Sequence, residues 1–330
     1  MISTAVFDYD VVKYTIGSAC EKREIKVTHP SGIEETFKTR TEFYGEWRKK
    51  QGGWLAEYNK NRDTPLLPDE FTILDVQTPE PLEFALNSVK KYIHSICEKL
   101  EIDNYYGYIG KGKSFRVNSS TLIEYKGQRA NSLKPLHMEA IENYLLTHHD
   151  AKFVEELEAD DWLVIDCYKK PDKVIITIDK DAVGCGHVNV YNPNTERLIS
   201  TSNKFGELEL AKSGIKGWGR KFFYHQLAYG DDADNYFANS AATKKWGEKS
   251  SYNTLHPLKN DKECLEALVS IYKKLYPEPF EFVGWRGDKL EVDWKYVLNE
   301  NVQLAHMQRW EGDKLDIFAV MDKLGVKYGD

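Results

Sequence analysis

In four places the chain sets acidic residues where an apolar run ends or a helix begins, and this recurrence limits the fold more than any other feature. Asp8 and Asp10 close the run Ala5-Val6-Phe7, and Asp179 and Asp181 follow Val174-Ile175-Ile176-Thr177-Ile178. Glu158, Asp160 and Asp161 precede the apolar face Trp162-Leu163-Val164-Ile165, and Asp231 and Asp234 follow a segment ending at Gly230. Short apolar runs rich in β-branched residues read as buried strands. Such strands alternating with helical segments predict a mainly parallel sheet flanked by helices, an α/β fold. In an open sheet of that kind ligands bind beyond the carboxyl ends of the strands, where these acids fall.

If the loops converge, Asp8, Asp10, Glu158, Asp160, Asp161, Asp179, Asp181, Asp231 and Asp234 meet in one crevice. Carboxylates so crowded repel one another and call for bound cations. Oxygen-only ligands favour Mg²⁺, with Mn²⁺ as substitute, over zinc. Two such ions about 3.5–4 Å apart can stabilise the attacking and leaving oxygens of a phosphodiester displacement. Any one of these acids alone is as readily a helix cap; four ordered groups are harder to explain that way. The net charge of −7 argues against a nucleic-acid partner until the site acids are discounted. The remainder is then near neutral, and local basic patches can steer DNA.

Elsewhere, residues 22–38 alternate around His29-Pro30-Ser31-Gly32 as a hairpin does, 71–76 reads as a strand, and a helix is expected from about Pro81 to Leu100. Residues 41–61 read as a helix or an arm in which Trp47, Trp54 and Arg48-Lys49-Lys50 could touch DNA, packing of both tryptophans being the simpler expectation. A further helix is expected from Leu136 to Leu146, and the chain beyond about 230 reads as mostly helical. The five cysteines (Cys20, Cys97, Cys167, Cys185, Cys264) include no CxxC pair, so neither zinc nor a disulfide framework is expected, and a reducing cytoplasm fits. No eighteen-residue apolar run and no signal-like start are present, so no membrane association is expected.

The blocks VFDYD, LEADDWL, ITIDKDAV and GDDADNY, in that order, resemble the metal-binding blocks of the 5′-nuclease superfamily, especially its phage 5′–3′ exonucleases and flap endonucleases. Tyr125-Lys126-Gly127-Gln128-Arg129 resembles the family's basic arch, Gly110 to Arg116 its G-K-G-x-x-F-R turn, and His225-Gln226-Leu227 the lead-in to its last block. The likeness spans roughly residues 1–15 and 104–255. It implies a PIN-like 5′-nuclease core over 1–230 with an insertion at about 16–103, then a helical C-terminal DNA-binding region over 231–330. Two departures stand out. An aspartate that many members carry just before the G-K-G turn is replaced by Tyr108 and Ile109, and only Gly247, Lys249 and Ser250 match the family's helix–three-turn–helix. That element binds duplex DNA and often K⁺; a K⁺ ion here rests on those three residues alone.

The resemblance implies a metal-dependent 5′–3′ exonuclease or 5′-flap endonuclease acting on DNA, with RNA–DNA hybrid as another substrate, in the cytoplasm of a bacterial host if phage-encoded. Glu158, Asp160, Asp179 and Asp181 would hold the first ion and Asp231 and Asp234 a second, with Asp8 and Asp10 beneath. Lys126 and Arg129 would neutralise the scissile phosphate, and Tyr125 would stack on the terminal base. Lys111, Lys113, Arg116, Lys244, Lys245 and Lys249 would contact DNA phosphates. A related RNase-type nuclease with a PIN-like core would share the acid cluster, but the Tyr125 to Arg129 arch and the DNA-side lysines favour the 5′-nuclease; two further readings compete. One is a non-catalytic DNA-binding relative. The other is a P-loop NTPase or kinase, because Gly107 to Ser114 fits G-x-x-x-x-G-K-[ST]. The P-loop reading needs a helix from Lys113-Ser114, and it leaves the later acids without a role.

Overall fold

The computed structural model describes residues 2–45, 52–130, 132–200, 205–212 and 214–329. Trp47 and Arg48-Lys49-Lys50 lie outside these residues. The chain divides into two compact units: Met1–Val11, Ile93–Leu133 and Tyr144–Asp330 form the first, Val12–Tyr92 and Lys134–Asn143 the second.

The first unit is built on a six-stranded sheet in the order Ala151–Val154, Asn104–Gly110, Thr4–Asp8, Lys173–Ile176, Val190–Asn192, Arg197–Ile199. The first five strands run parallel, and only the edge strand Arg197–Ile199 is antiparallel to its neighbour. This is the mainly parallel α/β architecture expected from the alternation of apolar runs and helices. Ala5, Val6, Phe7, Val174 and Ile175 are wholly buried, as strands covered on both faces must be. The helix Ala159–Cys167 covers one face, where Leu163, Val164 and Cys167 join Val6 and Ile175 in one core.

Parallel register puts the strand exits side by side. Phe7 pairs with both Gly107 and Ile176, so the chain leaves the sheet at Asp8, after Gly110 and after Ile176 on one edge. Gly107 is required there, because a Cβ would stand 2.4 Å from the Phe7 carbonyl oxygen.

A second core in this unit joins the helices Gly219–Tyr229, Asp261–Leu275, Trp294–Ala305 and Ile317–Leu324. The region beyond 230 is thus helical in the main, interrupted by the short pair Gly230–Asp231 with Tyr236–Phe237 and by the antiparallel hairpin of Phe280–Val283 and Lys289–Val292. A second hairpin, Glu207–Ala211 with Gly214–Trp218, was likewise not foreseen. Both segments alternate apolar and polar side chains, the period-2 signal of a half-buried strand.

The second unit carries the antiparallel sheet Glu34–Phe37, Glu21–Thr28, Thr72–Pro79, so the expected hairpin at 29–32 and strand near 71–76 are present. Trp54 stacks on Tyr58 at 4.6 Å and packs against the buried cluster of Ile25, Phe37, Phe43 and Phe71. It is partly buried and packs on this core, as the simpler expectation for it has it.

Candidate metal centre

Asp160, Asp179 and Asp181 come together at the carboxyl edge of the sheet, each offering a carboxylate oxygen within 4.8 Å of the others. Among the described residues this is the one group of three or more such side chains close enough to share an ion. Asp160 sits in the first turn of the Ala159–Cys167 helix, and Asp181 opens the short helix Asp181–Gly184. The loop between strand and helix is tied down locally: the Asp179 N–H donates to Thr177 Oγ1 at 3.0 Å and the Asp181 N–H to Asp179 Oδ1 at 2.9 Å. Gln226 fixes Asp181 from the facing helix, its Nε2 donating to Oδ1 at 2.6 Å. In the sequence Gln226 stands out only within His225-Gln226-Leu227; its contact with Asp181 is made across 45 residues of chain.

Asp8 is buried beneath the group. Its Oδ2 accepts from Thr177 Oγ1 at 2.9 Å and its Oδ1 from the Val11 N–H at 3.1 Å. Asp10 turns toward the neighbouring strand exit and accepts from the Gly110 N–H at 2.9 Å. A Cβ at Gly110 would stand 2.9 Å from that same Asp10 oxygen.

The other acids are already paired with cations of the chain itself. Glu158 caps the Ala159–Cys167 helix and accepts from Lys126 Nζ (2.5 Å), Arg116 Nη1 (3.0 Å) and the Tyr125 hydroxyl (2.9 Å). Asp234 accepts from Tyr125 (2.8 Å) and pairs with Arg129 (3.3 Å) and Lys126 (3.6 Å). Asp231 accepts from Lys180 Nζ and from the Ala233 N–H. The expected nine-carboxylate crevice is therefore one three-acid group flanked by ion-paired acids. Glu158 stands beside the three-acid group, outside it, with its oxygens on Lys126, Arg116 and Tyr125.

Three further expectations need correction. Arg116 is wholly buried, with a two-pronged pair to Asp161 at 2.5 and 2.8 Å and bonds to the carbonyls of Leu304 and His306. It cannot meet a DNA phosphate. Asp161 is wholly buried too, and both its oxygens are taken by Arg116 and by the N–H groups of Gln308 and Glu158, which removes it from the ligand set. Tyr125 is 3% exposed with its hydroxyl held between Glu158 and Asp234, so its ring is not open for stacking on a base.

Lys111, Lys113, Lys245 and Lys249 are exposed, and Lys244 is exposed with its Nζ on the Lys274 carbonyl at 3.0 Å. After the glycine-rich turn the chain forms only the five-residue helix Phe115–Ser119, starting beyond Ser114 and turning Arg116 inward. A phosphate cradle needs a helix N-terminus of some length, so the P-loop reading loses its support.

The electrostatics match the geometry. Burial, then the neighbouring Asp179, pushes Asp181 up to about 8. Burial and then Asp10 push Asp8 up to about 7. Burial and then Glu158 hold Asp160 well above the ordinary carboxylate range. Glu158 goes the other way: burial opposes its charge, but Lys126 and Arg116 outweigh that and lower its pKa. An all-oxygen group of acids that resist ionisation by themselves suits a hard divalent cation.

The sign of the resulting pH dependence follows. Asp8 and Asp181 bind protons more tightly folded than unfolded, so the metal-free protein loses stability as pH rises from 3.8 towards about 8. A divalent cation cancels that loss. Adding Mg²⁺ or Mn²⁺ is therefore expected to raise Tm clearly more at about pH 8 than at about pH 5. An equal rise at both pH values, measured by scanning calorimetry, would contradict this account.

No protein-family model matches the chain, and no curated protein does. Among solved structures, the T5 D15 protein co-crystallised with metal ions is similar at 19% identity and a TM-score of 0.39, over 66% of this chain and 78% of that one. The T5 5′-exonuclease with bound divalent zinc ions is similar at 20% identity and a TM-score of 0.38, over 67% and 78%. A T5 D15 flap endonuclease variant in a pseudo-enzyme–product complex with DNA and metal ions is similar at 15% identity and a TM-score of 0.36, over 67% and 90%. Among the described residues no helix is long and apolar enough to cross a membrane.

Proposed function

We propose that the chain is a divalent-metal-dependent nuclease that hydrolyses DNA at 5′ ends or 5′ flaps. The observation that carries this reading is the three-acid group Asp160, Asp179 and Asp181, with Lys126 on Glu158 and both Lys126 and Arg129 on Asp234. Those three side chains would hold the ion, Mg²⁺ with Mn²⁺ as substitute; when bound it supplies charge neutralisation and a more acidic water. A second ion, as a two-ion mechanism requires, would draw on Asp231 and Asp234.

The chain's own residues supply the rest. Gln226 and Thr177 hold Asp181 and Asp8 in place, so the acids cannot swing apart under their own repulsion. Lys126 keeps its charge. Burial works against the ammonium, but Glu158, Asp234 and Asp160 outweigh it and raise its pKa. Lys126 and the half-exposed Arg129 would meet the scissile phosphate, trading part of their contact with Glu158 and Asp234 for the incoming anion. Lys111, Lys113, Lys245 and Lys249 would bind duplex phosphates, which makes affinity fall with salt. RNA–DNA hybrid remains a second candidate substrate, and K⁺ near Gly247 to Ser250 a candidate ion.

The test uses 5′-end-labelled duplex and 5′-flap DNA with Mg²⁺, Mn²⁺ or EDTA, for the wild type and Asp179→Ala. Short 5′ products that require metal and vanish in the variant are expected, and their lengths separate exonuclease from flap cutting. DNA binding without cleavage in any metal would leave the non-catalytic relative as the better reading.

A further inference from the structure

Lys180 stands in the chain between Asp179 and Asp181, two of the three aspartates of the group, and reaches past them. Its Nζ lies on Asp231 Oδ2 and 3.5 Å from Asp181 Oδ1, and its side chain is 45% exposed. The other Asp231 oxygen accepts the Ala233 N–H of its own loop at 2.8 Å, so both oxygens of that carboxylate are in use. Asp181 Oδ1 also takes the Gln226 amide. An ion shared by Asp181 and Asp231 would need the space where the ammonium now sits. An ion held by Asp160, Asp179 and Asp181 needs no ion pair to break other than the longer 3.5 Å contact.

We propose that Lys180 is a built-in competitor for the second cation, holding Asp231 and Asp181 until a second ion or a phosphate draws its side chain out. This rests on the metal-centre reading above and adds an order of filling to it. The first ion enters a group already arranged for it. The second binds weakly because it must displace an ammonium already in contact with a nearly buried carboxylate. The backbone around Lys180 is pinned by the Thr177 and Asp179 turns, so the change falls on the half-exposed side chain alone. A lysine released in this way would face the DNA backbone from inside the site, coupling second-ion binding to substrate binding.

The experiment is Mn²⁺ titration followed by the electron paramagnetic resonance of the free ion, without DNA, on the full chain. The wild type is expected to bind one Mn²⁺ tightly and a second weakly. Lys180→Gln should tighten the second by roughly fivefold or more and leave the first little changed. Lys180→Arg, which keeps the charge, should stay as weak as the wild type, and Asp231→Asn should weaken the second ion in either background. A second Mn²⁺ no tighter in Lys180→Gln than in the wild type overturns the competitor role while the metal centre stands. Equal tightening in Lys180→Arg overturns it as well, because the effect would then not be one of charge. If the wild type and Asp179→Asn alike bind no Mn²⁺ tightly, the metal-centre reading falls and the competitor with it.

Discussion

Asp181→Asn is expected to raise the Tm of the metal-free protein and to lower metal-dependent cleavage by roughly 10³-fold or more. The two effects share one cause. Asp181 is partly buried, and its desolvation, with repulsion from Asp179 and then Asp234 and Asp231, pushes its carboxyl up to about 8. Asparagine is nearly the same size and keeps a carbonyl oxygen for the Gln226 amide, so the packing is retained while the repulsion is removed. The charge that destabilises the metal-free protein is the same charge an ion needs. Loss of partners one shell out from a metal costs about 10–100-fold, and a direct ligand should cost more. The pairing of results is diagnostic. Weaker cleavage with a lower Tm would indicate simple damage to the fold, and cleavage within about tenfold of wild type would remove Asp181 from the ion group.

What could be read from the sequence was what depends on local order. An apolar run ending in acids fixes both a buried strand and the edge at which it exits, so the shared edge of Asp8, Asp179 and Asp181 is legible in the sequence itself. The adjacent pair Asp160-Asp161 marks the limit. Neighbours on a helix point about 100° apart, so both cannot face one ion. Asp160 turns to the three-acid group and Asp161 to Arg116. Which aspartate goes where is decided by Arg116, 45 residues earlier in the chain, and by carbonyls 188 and 190 residues beyond that arginine. No local spacing encodes such a closure. Read beside Lys111 and Lys113, Arg116 looks like a third phosphate contact; folded, it is wholly buried, as is its partner Asp161. Tyr125 went astray in the same way. An aromatic beside a lysine suggests stacking on a base, whereas burial and two facing carboxylates make it a hydrogen-bond bridge. The lysines are legible as charges, but the acids they hold lie in other loops, so the sequence does not separate the acids of the three-acid group from those paired internally.

The second large effect is expected at Arg116. Its guanidinium joins Asp161 and Glu158 on the Ala159–Cys167 helix to the Leu304 and His306 carbonyls at the end of the Trp294–Ala305 helix. Burial works against this charge, but Asp161 and Glu158 more than compensate and raise its pKa well above the ordinary arginine value. Arg116→Met fills similar space and removes every donor at once. Asp161 is then left buried and charged without its partner, a situation that costs about 3–5 kcal/mol. The loss should appear as a large fall in the urea midpoint. Tight Mn²⁺ affinity should fall too, because Glu158 and the helix start that carries Asp160 lose an anchor. Removing the opposing charge separates the contributions. Arg116→Met combined with Asp161→Leu should recover part of the stability, since the buried uncompensated carboxylate is gone. It should not recover all of it, because the two carbonyls and the Gln308 N–H, which donates to Asp161 at 3.0 Å, would still lack partners. A single variant within about 1 kcal/mol of wild type would mean that Arg116 does not hold this junction together. A double variant no better than the single would place the loss in the orphaned backbone groups rather than in the charge on Asp161.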